Sequence, residues 1–347
     1  MTTAQLVVVI TAFNRREYLR RALRTVAAQG LPRDQFDVIV SKNFRDNRLD
    51  DEARRFGFSL HECGPGTAGS QVVQALSSST ARLVAFLDDD DLWAATRLQH
   101  IVEKFDAHPH LQYYANTYHP IGEDGKVDYG RRRDSPAYFR ALADGRIRVI
   151  DPDSQDLESI DNLFRTYPGN NSSIVVTRAL LDSFTGPLKD IRTSIDHFLI
   201  VAALLKHDPI MIEHLPLTLW QRHPSNKSRI DASSYSRFQS NLEEVATRIG
   251  ADNRVLLEMA RVETRPALFQ FLKDKVELLD ELKVVLGGLR SRGGAFKIGL
   301  QTIRETATTG GRDYWSTALY RARLAGALSR HVARVALFLY LQKELAE

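Results

Sequence analysis

Cysteine is almost missing from this sequence: Cys63 stands alone among 347 residues, beside only three methionines. A single thiol excludes an internal disulfide framework, and no Cys/His spacing resembles a structural zinc site. Long apolar runs are also missing. The first one, "LVVVITAF" (6–13), has eight residues, where a membrane-spanning helix needs ~20. No basic segment precedes it and no small-residue cleavage pattern follows, so it reads as a strand and not as a signal peptide. A strong excess of one charge is absent, since 47 Lys and Arg against 43 Asp and Glu give +4. These absences lead to the expectation of a cytoplasmic protein. A hydrophobic fraction of 43% and a charged fraction of 26% are ordinary for a globular chain and exclude global disorder.

The N-terminal part alternates short apolar runs with amphipathic segments. "LVVVITAF" (6–13), "FDVIV" (36–40), "FSLHE" (58–62) and "ARLVAFLD" (81–88) are rich in β-branched or aromatic residues, as buried strands are. Between the first two, "RREYLRRALRTVAAQG" repeats apolar residues at helical spacing and stops at Gly30 before Pro32. Strands separated by helices of this length predict crossover connections and an α/β fold with a mostly parallel, doubly wound sheet. A further helix is expected over 94–107, then "LQYYANTYHPI" with a hairpin turn at "GEDGK" (122–126). Residues 128–168 are charged and weakly periodic and read as a loop region. Order returns with "NNSSIVVT" (170–177), a helix over 194–206 and the run "PIMIEHLPLTLW". From about 237 the pattern is helical to the end, which divides the chain into an α/β domain at 1–235 and a helical C-terminal extension at 236–347.

The most unusual stretch is "AFLDDDDLW" (85–93), in which Asp88, Asp89, Asp90 and Asp91 follow an apolar strand directly. Open α/β sheets bind ligands at the carboxyl ends of their strands. Clustered carboxylates there suit a hard divalent cation, Mn²⁺ or Mg²⁺, with phosphate and water completing its shell. The competing structural reading is a solvated turn in which Asp91 caps the next helix. A rival function comes from Gly64, Gly66 and Gly69, which spell G-x-G-x-x-G after a candidate strand, with Asp88 nineteen residues beyond. That pattern fits a nicotinamide-dependent oxidoreductase. The motif follows the third strand and not the first, however, and a ribose needs one acid where this chain supplies four.

A first strand ending in "TAFNRREYLRRAL", a second ending in "VSKNFRDN", and then "ARLVAFLDDDDLW" together resemble glycosyltransferase family 2, with the GT-A fold of the O-antigen and polysaccharide type. The resemblance covers about residues 5–228. It implies a metal-dependent, inverting transfer of a sugar from a nucleoside diphosphate donor to a glycan or lipid-linked glycan. It places Thr11, Ala12, Phe13 and Arg15 against the donor, with Asp88 and Asp89 on the ribose or diphosphate side. It makes Asp90 the metal-binding acid and puts Asp91 and Trp93 toward the acceptor. Many members carry aspartates at the end of the second strand, where this chain has Ser41, Lys42 and Asn43. Ser41 and Asn43 then become the donor-base contacts, and UDP or dTDP the expected nucleotide.

"TSIDHFLIVAALL" resembles the family's second acidic motif, which implies Asp196 as general base with His197 near the acceptor. Thr193 or Ser194 also reads as an N-cap, with Asp196 favoured in the first turn by the helix dipole. "WQRHPSNKS" (220–228) resembles the family's basic segment, giving His223 to the metal and Arg222 and Lys227 to the diphosphate. The missing second-strand aspartate leaves room for an inactive sugar-nucleotide-binding module.

From Glu281 to Glu347, eleven Lys/Arg face five Asp/Glu, a local charge of +6. Tyr320, Leu324, Leu328, Val332, Val335 and Leu339 share one helical side there, with Arg321, Arg323, Arg330 and Arg334 interleaved. Such a helix fits the inner surface of an anionic membrane or a second copy of the chain. No nucleic-acid recognition motif accompanies it.

Overall fold

The computed structural model of the protein describes residues 4–127, 144–166, 169–223 and 235–287. Its strands are β1 (Leu6–Ala12), β2 (Phe36–Lys42), β3 (Ser59–Glu62), β4 (Leu83–Asp88), β5 (Leu92–Trp93), β6 (Tyr113–Ile121), β7 (Ile147–Ile150), β8 (Ile174–Thr177) and β9 (Ile210–Gln221). They form one sheet in the order β3-β2-β1-β4-β8-β6-β9-β5, with β7 added against β9. β1 runs parallel to β2 and β4, and β3 runs parallel to β2. β8 is antiparallel to both β4 and β6, so β6 regains the direction of β4, and β9 is parallel to β6. The sheet is thus parallel in its first half, as expected, and mixed in its second. Its carboxyl edge collects the ends of β1, β2, β4 and β9 together with the start of β8.

The helices α1 (Arg16–Ala27), α2 (Asn47–Arg55), α3 (Ala68–Leu76) and α4 (Arg97–Ala107) complete the N-terminal crossovers. Strand periodicity divides the core between the two faces. Leu6, Val8 and Ile10 of β1 pack with Leu19 and Leu23 of α1 and Ile101 of α4, whereas Val7 and Val9 join Val72 of α3 and Phe198. Each such fully buried side chain contributes roughly 1.5–3 kcal/mol relative to exposure. Leu256, Met259, Leu268 and Phe271, from the helices Tyr235–Val262 and Pro266–Gly287, lie in the second of these cores. The helices beyond residue 235 therefore share a core with the sheet.

Some boundaries differ from the sequence pattern for local reasons. Helix α4 begins at Arg97 and not at 94, because Leu92 and Trp93 pair with β9 and the N–H of Ala94 donates to the Leu217 carbonyl. The turn at 122–126 is present, with the N–H of Gly122 bonded to the Lys126 carbonyl and a bridge between Ile121 and Val127. The stretch read as loop at 128–168 contains β7 and a helix, Leu157–Thr166. Their charged sequence hid them: among the described side chains of "LESIDNLFRT", Ile160 and Leu163 are the buried ones, with Phe164 stacked on Phe271 4.7 Å away. Lys227 and the basic stretch at 320–339 lie outside the described residues.

Candidate active site

The aspartate run sits where β4 leaves the carboxyl edge. Thr11 and Asp88 are partners in the β1–β4 register, and Thr11 Oγ1 donates to Asp88 Oδ1 at 3.2 Å. One more ladder bond, from the N–H of Asp89 to the Thr11 carbonyl, carries the pairing past the strand end. A tight turn then folds the chain back, with the N–H of Asp91 on the Asp88 carbonyl. The turn separates the four side chains into two groups. Oxygen atoms of Asp88, Asp90 and Asp91 lie within 4.8 Å of one another. Asp89 lies outside this group: its Oδ2 accepts the Phe13 N–H at 2.9 Å and its Oδ1 is ion-paired with the Arg15 guanidinium at 2.5 Å.

Like charges this close need relief, and the loop after β1 provides it. Asn14 adopts φ +58°, a left-handed conformation that asparagine tolerates better than most residues. It delivers Arg15 onto Asp89 and Asp90 together. On the far side His223 Nε2 lies 2.9 Å from Asp90 Oδ2, and its ring stacks on Tyr18 with centroids 4.4 Å apart. Burial pushes the Asp90 carboxyl up, but the His223 hydrogen bond and the Arg15 charge outweigh it and hold Asp90 below the usual range. Asp89 is raised to about 7, by burial first, with Arg15 only partly opposing and Asp90 adding repulsion. Asp91 is raised well above its ordinary value, again by burial and then by Asp90 and Asp88.

The wall opposite β1 comes from a turn that sequence reasoning passed over, Asn171–Ser173 with Asn170 as its cap. Asn171 Nδ2 donates to Asp88 Oδ1 at 3.0 Å, Asn170 Nδ2 donates to Asp91 Oδ2 at 3.2 Å, and the Asp88 N–H donates to Ser172 Oγ at 3.0 Å. The N–H of Gln221 closes the site on Asp91 Oδ1 at 3.0 Å. Four consecutive short polar residues before an apolar strand, "NNSS", were the available signal.

The remaining expected residues are spread more widely. Ala12 is buried, and Phe13 is 51% exposed at the mouth of the first loop. Ser41 Oγ and Asn43 Oδ1 are buried and without a hydrogen-bond partner among the described residues. Lys42, between them, is buried against Asp50 Oδ1 at 3.0 Å and donates to the Phe44 carbonyl at 2.6 Å. Trp93 is buried, its indole N–H on the Ser172 carbonyl and its ring under the buried Arg97, so it supports the site from the core side. Arg222 lies over the Trp220 ring. His197 meets Phe164 edge-on at 6.0 Å. Asp196 is half-buried in the first turn of the helix Ile195–Leu205. That helix ends just before β9 begins at the amino edge, so it starts toward the carboxyl edge, the side of the aspartates.

The glycine motif has a different use from the one its pattern offers. At the start of α3, the N–H groups of Ala68 and Gly69 donate to the carbonyls of Arg192 and Ile191, and Ser70 N–H donates to Thr67 Oγ1. A Cβ on Gly69 would lie 1.7 Å from the Leu188 carbonyl oxygen. Protein backbone occupies the place where a dinucleotide phosphate would sit, which overturns the oxidoreductase reading.

Residues 7–160 match the model of "Glycosyl transferase family 2". They are a family 2 glycosyltransferase domain. An uncharacterized glycosyltransferase from Nostoc sp. is 34% identical over 104 residues, a match covering 28% of this chain and 32% of that protein. The chain thus matches about a third of this relative's length. Among solved structures, S. aureus TarS 1–349 in complex with UDP-GlcNAc superposes with a TM-score of 0.53 at 17% identity, over 98% of this chain and 92% of that one. The mannosyltransferase PcManGT from Pyrobaculum calidifontis, in complex with GDP-Man and Mn²⁺, gives 0.51 at 14% identity, over 98% and 86%. The family 2 domain therefore has the GT-A fold, and its acidic triad, Asp88, Asp90 and Asp91, is DxD-like.

Proposed function

We propose that this family 2 domain transfers a hexosyl or deoxyhexosyl group from UDP or dTDP to a hydroxyl of a glycan or lipid-linked glycan, with inversion at the anomeric carbon. The observation that carries this reading is the convergence of Asp88, Asp90 and Asp91 at the carboxyl edge, beside the β1 loop. The nucleotide sugars bound by the two solved relatives support a nucleotide donor here. Hard oxygen donors within 4.8 Å of one another fit a divalent ion such as Mn²⁺ or Mg²⁺. Bound by Asp88, Asp90 and Asp91, that ion would supply Lewis-acid neutralisation of the departing diphosphate.

The chain's own residues perform the rest. The Thr11–Arg15 loop, Ser41 and Asn43 orient the donor, with Arg222 and Lys227 on its diphosphate side and His223 beside Asp90. Asp196 accepts the proton of the acceptor hydroxyl as that oxygen forms its bond to the anomeric carbon and the bond to the diphosphate breaks. A single base and a direct displacement give inversion. The +6 tail supports a peripheral position on an anionic membrane, tested by liposome flotation of the full chain against one ending near residue 280.

A thermal-shift series with UDP, dTDP and GDP, each with Mn²⁺ or with EDTA, tests the donor half of the reading. A ligand that binds only the folded chain raises its Tm. We expect a uridine or thymidine diphosphate to raise it with Mn²⁺ and to lose the effect in EDTA. If no nucleotide shifts the Tm under either condition, the proposal is wrong.

A further inference from the structure

The backbone just ahead of Asp196 is held from two sides. Its carbonyls, at Ile191 and Arg192, accept the N–H groups of Gly69 and Ala68. Its N–H groups face the other way, onto one carboxylate from the helix Tyr235–Val262. Asp252 Oδ1 accepts the Arg192 N–H at 2.7 Å, while Oδ2 accepts the N–H of Thr193 at 3.0 Å, the N–H of Ser194 at 2.9 Å and the Thr193 hydroxyl at 3.1 Å. Asp252 is fully buried, and among the described residues no cation pairs with it.

A buried carboxylate without a cation is costly unless its oxygens are saturated, and here four hydrogen bonds saturate them. The position of those bonds gives them a consequence. Ser194 is the N-cap of the helix Ile195–Leu205, yet its own side chain makes no capping bond. A helix start leaves backbone donors to be satisfied by something else. Of these donors Asp252 satisfies the N–H of the cap residue itself, from 58 residues away, and it fixes the two residues that lead into the cap. Asp196 lies two residues past this cap, so the direction in which it leaves the backbone follows from where Asp252 holds residues 192–194.

We propose that Asp252 is the positioning residue for the acceptor-side carboxylate Asp196, and that the helix beyond residue 235 is for this reason part of the catalytic apparatus. The inference rests on Asp196 acting as the general base. Asp252→Asn is nearly isosteric, but it exchanges an accepting oxygen for an NH₂ group facing backbone donors. Small displacements of reacting groups cost about 10²-fold in rate.

The test uses the full chain with Mn²⁺, as wild type, Asp252→Asn, Asp196→Asn and the double variant. Transfer from UDP-glucose and UDP-N-acetylglucosamine is read on an array of glycoside acceptors, UDP affinity by calorimetry, and hydrogen exchange at the amides of 192–194. We expect Asp252→Asn to lower kcat about 10²-fold, with UDP affinity unchanged within about twofold and exchange accelerated at 192–194. In the Asp196→Asn background the same change adds little, because two residues acting through one group are not additive. Wild-type turnover by Asp252→Asn, unchanged exchange at 192–194, or losses that multiply in the double variant overturn the positioning role alone. Wild-type turnover by Asp196→Asn overturns the base assignment and this inference together, as does an array on which the unaltered chain transfers nothing. Asp252→Glu, which keeps the charge and moves it, provides a second variant and is expected to recover stability while leaving kcat depressed.

Discussion

His223 Nε2 and Asp90 Oδ2 lie 2.9 Å apart, joining the segment after β9 to the turn after β4. With Arg15 on the same carboxylate, Asp90 is held from two sides by the protein itself. A cation entering among Asp88, Asp90 and Asp91 therefore competes with Arg15 for negative charge.

That competition predicts the behaviour of Arg15→Ala. Removing the guanidinium takes the arginine partner from Asp89 and leaves Asp90 to His223, in a site where Arg15 is only 17% exposed. Breaking a buried pair from one side costs about 3–5 kcal/mol. The variant should melt well below wild type in EDTA, and its gain in Tm on adding Mn²⁺ should exceed that of wild type. Equal gains in the two proteins would mean that Arg15 and the ion do not share the charge.

Asp89 provides a pH signature. Its folded-state value of about 7 lies above the roughly 3.9 of an unfolded aspartate. Between these values the folded chain holds a proton that the unfolded chain has released, so this residue's contribution to stability is full below pH ~4 and falls as pH rises to ~7. The slope from one such group is about −1.4 kcal/mol per pH unit at most. Urea midpoints of the metal-free chain across this window should decline less steeply in Asp89→Asn than in wild type.

Asp91 affects metal uptake in the opposite direction. Burial and its acidic neighbours hold its carboxyl well above the usual range, so a proton must leave before the oxygen can ligate. Apparent Mn²⁺ affinity should rise with pH, with proton release visible as a dependence of binding enthalpy on the ionisation heat of the buffer. Binding enthalpy independent of the buffer would exclude it.

Lys42 and Asp50 give a stability test distinct from the acidic site. The ammonium is buried 3.0 Å from Asp50 Oδ1 at the end of β2. Asp50→Ala should cost about 3–5 kcal/mol in denaturant titration, since it strands a buried charge. Replacing both residues, as Lys42→Met with Asp50→Leu, should cost much less.

Gly69→Ala separates packing from nucleotide binding. Its Cβ would meet the Leu188 carbonyl at 1.7 Å, so the contact between α3 and residues 188–191 must open. Overpacking of this kind costs about 1–3 kcal/mol. The loss should appear in thermal stability of the nucleotide-free chain.

The N-terminal half of the fold was legible because its strands are continuous apolar runs whose helices repeat at 3.6 residues. Val7 to Ile10 are buried on both faces, as their sequence implies. The second half was harder. Among the described side chains, β7 and the helix Leu157–Thr166 bury few residues each, and periodicity fades when Ile160, Leu163 and the half-buried Phe164 mark the inward side. In the site, a run of aspartates announced itself, but which of them face one another depended on the turn, and Asp89 points back to Arg15 while its neighbours converge. The "NNSS" run marked Asn170 and Asn171 only as polar residues before a strand, and Asp252 carried no local signal of its function. Each acts through contacts with residues 58 or more positions away in the chain.

Those separations bear on how the polypeptide matures. Asp90 meets His223 across 133 residues and Asp91 meets the Gln221 amide across 130. Such distant pairings form slowly. During vectorial synthesis, β4 leaves the ribosome after Thr11, Phe13 and Arg15 have emerged but before Asn170, Gln221 and His223. The acidic pocket is then completed when β9 has been made, and the Asp252 clamp closes later still. A nascent chain halted before residue 221 would therefore display an unfinished aspartate cluster, open to solvent and to chaperones.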